Sequence, residues 1–419
     1  MIVLAVAAAI AALPACTKQE GDHIDGLQMT PPVIPAGASG TFLRVGDMIQ
    51  GRKRHCAVLL PGGDVLVAGG VDGAGQTLAS AEFYRYSEGG VFLGAPFPMN
   101  APRKFFSMTP LDSVNGSKVL LCGGENGSSS ALDSADLFDP ATFKFDPAAG
   151  LMVSPRTRHA ALRLPNGNVF LCGGANASGV PLASCEIFDP ATGVFTRTTA
   201  DLAAARADHT ASLLPSGKVL VAGGTDAAGT AVASAEIFDP GTGSGVQGTF
   251  AATQALPGPR AGHVAAPVNL GAYGGQVVLF GGFQGAAASP TLLNGAVVFD
   301  PTGNGGVGTF AAVLHAMDSA RHGLTATALT GGIKILVAGG NAANTPEIFD
   351  PYASTAGGSL ALDADFTRTQ DSSANPTAMA AVASGRRFHE AVWLLNGTVL
   401  LCGGEDGGTV TATSELYNP

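Results

Sequence analysis

The chain has 419 residues, 59 of them Gly and 26 Pro, with 46% hydrophobic and only 13% charged residues. Low charge with high apolar content excludes a disordered polyelectrolyte, and so many Gly and Pro exclude coiled coils and large helical bundles. The net charge of −10 leaves no basic footprint, so no nucleic-acid partner is expected.

Residues 1–12 are apolar throughout, too short a run to span a bilayer, and polar sequence follows. The run reads as the core of a signal peptide. Leu13-Pro14-Ala15-Cys16 then resembles a bacterial lipobox. The resemblance implies removal of residues 1–15, lipidation of Cys16 and an exported protein whose only membrane contact is the lipid. Thr17 stands where Asp would retain such a protein at the inner membrane, so the outer membrane or cell surface is expected. A plain secretory signal, giving a periplasmic or secreted protein, is the alternative. Residues 16–39 are polar and rich in Pro and Gly, which suits a flexible tether.

From residue 40 the chain repeats. A Gly pair preceded by a short apolar run recurs at Gly69-Gly70, Gly123-Gly124, Gly173-Gly174, Gly223-Gly224, Gly281-Gly282, Gly339-Gly340 and Gly403-Gly404. A fixed-order unit with indels in its loops marks a repeat fold. In the fourth unit, Arg206-Ala207-Asp208-His209 opens a strand, Pro215-Ser216-Gly217 turns the chain, and KVLVAGG forms a second strand. SAEIFDP forms the third, and the fourth begins at Thr249-Phe250. Short segments bounded by turn residues are strands, and four antiparallel strands repeated radially are the blade of an all-β propeller. Thr41-Phe42-Leu43 matches a fourth strand and Ser414–Pro419 a third. A seven-bladed ring, closed by pairing the two ends and so freed of exposed edges, is expected over 40–419.

The double Gly and the aromatic-Asp-Pro turn after strand three resemble the kelch repeat of the kelch and galactose oxidase superfamily. The turn stands at Phe138-Asp139-Pro140, Phe188-Asp189-Pro190, Phe238-Asp239-Pro240, Phe299-Asp300-Pro301 and Phe349-Asp350-Pro351. Phe92, Phe195, Phe250, Phe310 and Phe366 replace the Trp usual in kelch, and Leu66, Leu220, Leu336 and Leu400 replace a common Tyr. Asp before Pro reads as turn chemistry, its carboxylate bonding N–H groups two residues on. Asp72, Asn126, Asn176, Asp226 and Asp406 read the same way, since one oxygen ligand per blade is too few for calcium.

Arg followed three residues later by His opens strand one at Arg52/His55, Arg156/His159, Arg206/His209, Arg260/His263 and Arg386/His389. Blade two offers Arg103 with Phe106, and blade six Arg321 beside His322. One reading pairs each Arg with a strand-three carboxylate such as Glu82, Glu186, Glu236, Glu347 or Glu415. The other makes the face an Arg-lined funnel for an anion. In kelch-type substrate adaptors this Arg binds acidic peptide, and the resemblance transfers that role to Arg103, Arg156, Arg206, Arg260 and Arg386.

Cys122, Cys172 and Cys402 stand where other blades have Ala and read as small buried residues. Export would permit a disulfide between Cys172 and Cys185, although the strand register is open at this point. The superfamily includes a copper radical oxidase and a sialic acid epimerase. Tyr84, Tyr86, Tyr273, Tyr352 and Tyr417 all fall away from the His ring, so no metal, no cofactor and no catalytic residue is expected. The expectation is a monomeric, non-enzymatic envelope protein binding a protein, glycan or other anionic partner with its Arg face. The alternative is a carbohydrate-active enzyme, epimerase- or oxidase-like, with its site in the central channel.

Overall fold

The second strand of most repeats, as in Val65–Ala68, Val119–Cys122, Val169–Cys172 and Val219–Ala222, is a run of four apolar residues, all buried. Such a run requires cover on both faces of its sheet. A computed structural model of the chain provides that cover, and describes residues 10–13, 16–19, 39–112, 116–148, 150–268, 274–329, 332–341, 345–351, 364–369 and 385–419.

Each repeat forms a four-stranded antiparallel sheet in sequence order. Blade three, for example, runs Ala160–Arg163, Val169–Cys172, Cys185–Asp189 and Val194–Arg197. The last sheet takes Glu390–Trp393, Val399–Cys402 and Ser414–Asn418 from the end of the chain and Thr41–Val45 from its beginning, with Phe42 opposite Tyr417. Helix is confined to single turns among the described residues. The architecture is that of a β-propeller.

The core lies between sheets rather than within one. Val264, Val278 and Phe280 of blade five pack with Ile335, Val337 and Phe349 of blade six, and Leu400 and Leu416 of blade seven pack with Val65 and Tyr84 of blade one. An aromatic pair bridges strands three and four at one register position in every blade. The pairs are Tyr84–Phe92, Phe138–Phe145, Phe188–Phe195, Phe238–Phe250, Phe299–Phe310, Phe349–Phe366 and Tyr417–Phe42, with centroids 4.7–5.4 Å apart. Such tilted contacts add to the burial of the rings.

Polar stitches complete each interface. The second Gly of each pair donates its N–H to the carbonyl of the next blade's strand-one Arg, from Gly70 to Arg103 (2.8 Å) around to Gly404 and Arg52 (2.7 Å). The first Gly has no room for a side chain. A Cβ on Gly403, at φ +65°, would lie 2.5 Å from Arg52 O and 2.6 Å from the His55 ring.

The predicted signal segment and tether lie largely outside the described residues. Ile10–Leu13 and Cys16–Gln19 pair as an antiparallel hairpin whose backbone lies against first strands of several blades.

Each strand-one guanidinium turns back into its own blade. Arg156 Nη1 donates to Gly173 O (2.8 Å) and Ser184 O (2.9 Å), and Nη2 to Glu186 Oε1 (2.6 Å), with both residues fully buried. Removing one partner of a buried pair strands the other charge, at a cost of about 3–5 kcal/mol. Glu186→Leu is therefore expected to lower unfolding free energy by about that amount. Asp201→Asn, which breaks the exposed pair with Arg197, should cost under about 1 kcal/mol. Urea denaturation of both variants checks the contrast.

Candidate functional site

The Arg-x-x-His motif divides into two structural and two variable positions. At the first position, Arg52, Arg103, Arg156, Arg206, Arg321 and Arg386 show no exposed surface and Arg260 only 6%. The reading of Arg103, Arg156, Arg206, Arg260 and Arg386 as an open ligand-binding rim is therefore corrected. Their guanidinium groups satisfy carbonyls inside the blade, and all but Arg260 also meet a carboxylate. The carboxylates are Glu82, Glu186, Glu236, Glu347 and Glu415, as one sequence reading had it, with Asp136 in blade two.

At the fourth position each His reaches the preceding blade. His159 Nε2 lies 2.9 Å from Ser107 Oγ, His263 Nε2 2.9 Å from Thr210 Oγ1, and His389 Nε2 3.0 Å from Thr325 Oγ1. His209 meets Cys172 Sγ at 3.4 Å and His55 meets Cys402 Sγ at 3.8 Å. Burial, reinforced by the adjacent Arg, holds His159 and His263 well below the ordinary imidazole range. These are interface residues.

The second and third positions differ from blade to blade. Arg54, Phe105, Arg158, Asp208, Gly262, Gly323 and Phe388 occupy the third, all with φ between +53° and +72°. Backbone bonds link most of them from blade to blade. Arg54 N donates to Phe388 O (3.0 Å), Arg158 N to Phe105 O (3.1 Å), Asp208 N to Arg158 O (3.2 Å), Gly262 N to Asp208 O (3.0 Å) and Phe388 N to Gly323 O (2.8 Å). Left-handed backbone at bulky residues is uncommon and costs about 1–2 kcal/mol each. Strain of this kind, held by its surroundings, marks sites whose geometry serves a purpose.

Arg54 is the hub of that hoop. Its guanidinium lies 4.6 Å from the Phe105 centroid and 4.8 Å from that of Phe388, a double cation–π contact. It meets no hydrogen-bond acceptor among the described residues, and its Nε is buried without a partner. Burial lowers its pKa, while Glu405, Glu125 and Asp208 act in the opposite sense.

The surrounding groups are tied in pairs. Asp208 Oδ2 is 3.3 Å from Arg158 Nη1, yet burial pushes the Asp208 carboxyl above the usual range. Glu405 takes Lys53 (2.6 Å) and Arg387 (2.8 Å), which hold it below the usual range against the effect of burial. Lys104 lies 3.4 Å from Glu125. His322 meets the Phe283 and Phe388 rings edge-on, both at 5.4 Å. A Cβ on Gly262 would come within 2.8 Å of its Nε2, so that glycine makes room for the imidazole. Burial, then Arg387 and Arg54, lower His322 to about 4.

The turn residues have the expected local roles. Asp189 Oδ1 accepts Ala191 N at 2.9 Å, and Asp226 Oδ1 accepts both Ala228 N and Thr230 N at 2.9 Å. Cys172 and Cys185 face each other across strands two and three of blade three as free, fully buried thiols. Because Gly173 N donates to Ser184 O beside them, theirs is the closely spaced, non-hydrogen-bonded pair of the ladder. Burial and Cys172 push Cys185 up. Cys172 is held low, to about 5, by Cys185, His209 and Arg156 despite its burial.

Sequence reasoning followed the repeated residues and so missed this cluster. The available signal was the reverse, namely charged and aromatic variety at two positions inside an otherwise constant motif.

Unfolded imidazoles protonate near pH 6.5, whereas folded His159, His263 and His322 do so only well below it. Their contribution to stability is complete above about pH 6.5 and is lost as pH falls toward 4, by up to about 1.4 kcal/mol per pH unit per His. Urea midpoints between pH 7.5 and 4.5 should decline accordingly, and less steeply in His322→Phe.

No family model and no curated protein matches the sequence. Among solved structures the chain is similar to a fungal alcohol oxidase of the AA5 family in complex with copper. The sequences are 16% identical over 92% of this chain and 76% of that one, with a TM-score of 0.65. The described residues do not fit a copper-radical centre. Tyr84 and Tyr417 are buried in third strands and Tyr86 in the turn after the first of these; Tyr273 and Tyr352 lie outside the described residues, and no group of three metal-ligating side chains converges among the described ones. The expectation of a non-enzymatic scaffold binding through its Arg face is overturned, because the neighbour in structure is an enzyme and that Arg face is interior. The likeness places the chain among β-propellers of the galactose-oxidase-like fold.

Proposed function

We propose that the chain is a seven-bladed, kelch-type propeller acting as a carbohydrate-active enzyme of the sugar isomerase or epimerase type, without copper, at the mouth centred on Arg54. The observation that carries this reading is the pair flanking Gly262. Asp208 O accepts Gly262 N–H (3.0 Å) and His322 Nε2 fills the space a Gly262 Cβ would take, which sets a carboxyl shifted up beside an imidazole shifted down. Two groups with pKa values displaced in this way supply an acid and a base at one pH.

In this reading the Asp208 carboxyl donates a proton to the ring oxygen of a bound sugar while the His322 imidazole takes one from the anomeric hydroxyl. The ring opens, and reclosure on the other face returns both protons. No electrons leave the substrate, so no redox partner is needed. Arg54, pinned between two rings with its donors unclaimed, anchors a hydroxyl or carboxylate of the sugar. The lipobox-like segment ending at Cys16 supports export with a lipid anchor.

The test is isomer exchange followed by NMR, with chelator-treated protein and a panel of aldoses, uronic acids and sialic acids. Asp208→Asn and His322→Gln are each expected to lower kcat about 100-fold or more, the usual worth of acid–base catalysis. Arg54→Met should act mainly on KM. The rate should fall as pH drops through about 4, where His322 protonates. Absence of exchange on every sugar, or copper-dependent peroxide release, overturns the reading.

A further inference from the structure

Blade five departs from its sisters at three linked positions. In blades one, two, three, four and six the strand-three carboxylate ties the Arg to the loop ahead of strand one. Glu82 accepts Ile49 N (2.6 Å) and Gln50 N (3.1 Å), Glu186 accepts Val153 N (2.8 Å) and Ser154 N (3.0 Å), and Glu236 accepts Ala203 N (2.8 Å). Glu347 accepts Asp318 N at 3.0 Å, and the shorter Asp136 is met by the Asn100 side chain instead. Blade five has Val297 in place of the carboxylate, Gly295 in place of the serine at the head of strand three, and Pro257 three residues before its Arg. Pro257 has no N–H to offer, so the donor that would meet the carboxylate has gone with it.

Arg260 is left incomplete. Its Nη1 reaches Gly281 O and Gly295 O only at 3.4 Å, against 2.6–2.9 Å for the equivalent bond to the Gly carbonyl in the other blades. Its Nη2 has neither the serine hydroxyl nor the carboxylate found in blades one, three and four. The side chain is 6% exposed, and burial, with no opposing carboxylate, lowers it to about 10. Gly258 N–H, equivalent to the Gln50 and Ser154 donors, has no acceptor among the described residues. A buried cation without a counter-charge is costly.

We propose that blade five binds a small free carboxylate, of formate or acetate size, which takes the place of the sister blades' glutamate against Arg260 Nη2 and Gly258 N–H. Removal of the serine side chain and exchange of Glu for Val provide the room. The site is separate from Asp208 and His322, so its fate does not decide that of the proposed enzyme.

The experiment is thermal unfolding of the full chain in sodium acetate against sodium chloride at matched ionic strength, with saturation-transfer NMR of acetate as a second readout. A saturable rise in midpoint with acetate, absent with chloride, is expected. Val297→Glu, which builds the carboxylate in, should raise the midpoint without acetate and abolish the acetate effect. Arg260→Met should abolish both the effect and the NMR signal, and decides the matter should Val297→Glu not fold. Indistinguishable salts, or acetate binding retained in Arg260→Met, overturns the proposal.

Discussion

The strand-one arginine is the part on which the molecule depends. Its carbonyl receives the glycine N–H of the preceding blade, and its guanidinium closes the head of its own sheet. One residue thereby joins the core of a blade to the interface with its neighbour. The glycine pairs follow from it, because only a residue without Cβ admits that carbonyl so closely. Burying these cations is tolerable, in every blade but the fifth, because carboxylates and carbonyls meet them at hydrogen-bonding distance.

That arrangement frees the residues beside the arginine from structural duty. Packing is settled by the first and fourth positions of the motif, so the second and third can vary. Here they bring cations, carboxylates and aromatic rings to one mouth. A rigid, repetitive scaffold with an irregular rim is a common way to build a site, since the rim inherits the precision of the scaffold.

Much of the fold was legible because repetition averages out local ambiguity. The glycine pairs, the Phe-Asp-Pro turns and the matching of Thr41–Leu43 with a fourth strand all followed from aligning the chain with itself. The arginines were harder. Their position along strand one was readable, but whether a long side chain reaches outward or folds back is decided by what it meets thirty residues later. That spacing is shared by Arg52 and Glu82, Arg156 and Glu186, and Arg206 and Glu236, a regularity the reading of the sequence did not use. The cluster itself could not be read, because Arg54, Asp208 and His322 become neighbours only when blades one, four and six are packed together.

The pairing of Thr41–Val45 with Ser414–Asn418 has a consequence for how the molecule is made. Thr41–Val45 has no partner strand until Ser414–Asn418 has been synthesised, so this sheet cannot be completed while that strand is still in the exit tunnel. Contacts this distant in sequence also close slowly. Over that interval Thr41–Val45 stays an unpaired edge open to a wrong partner strand, so misassembly is most to be expected at this sheet.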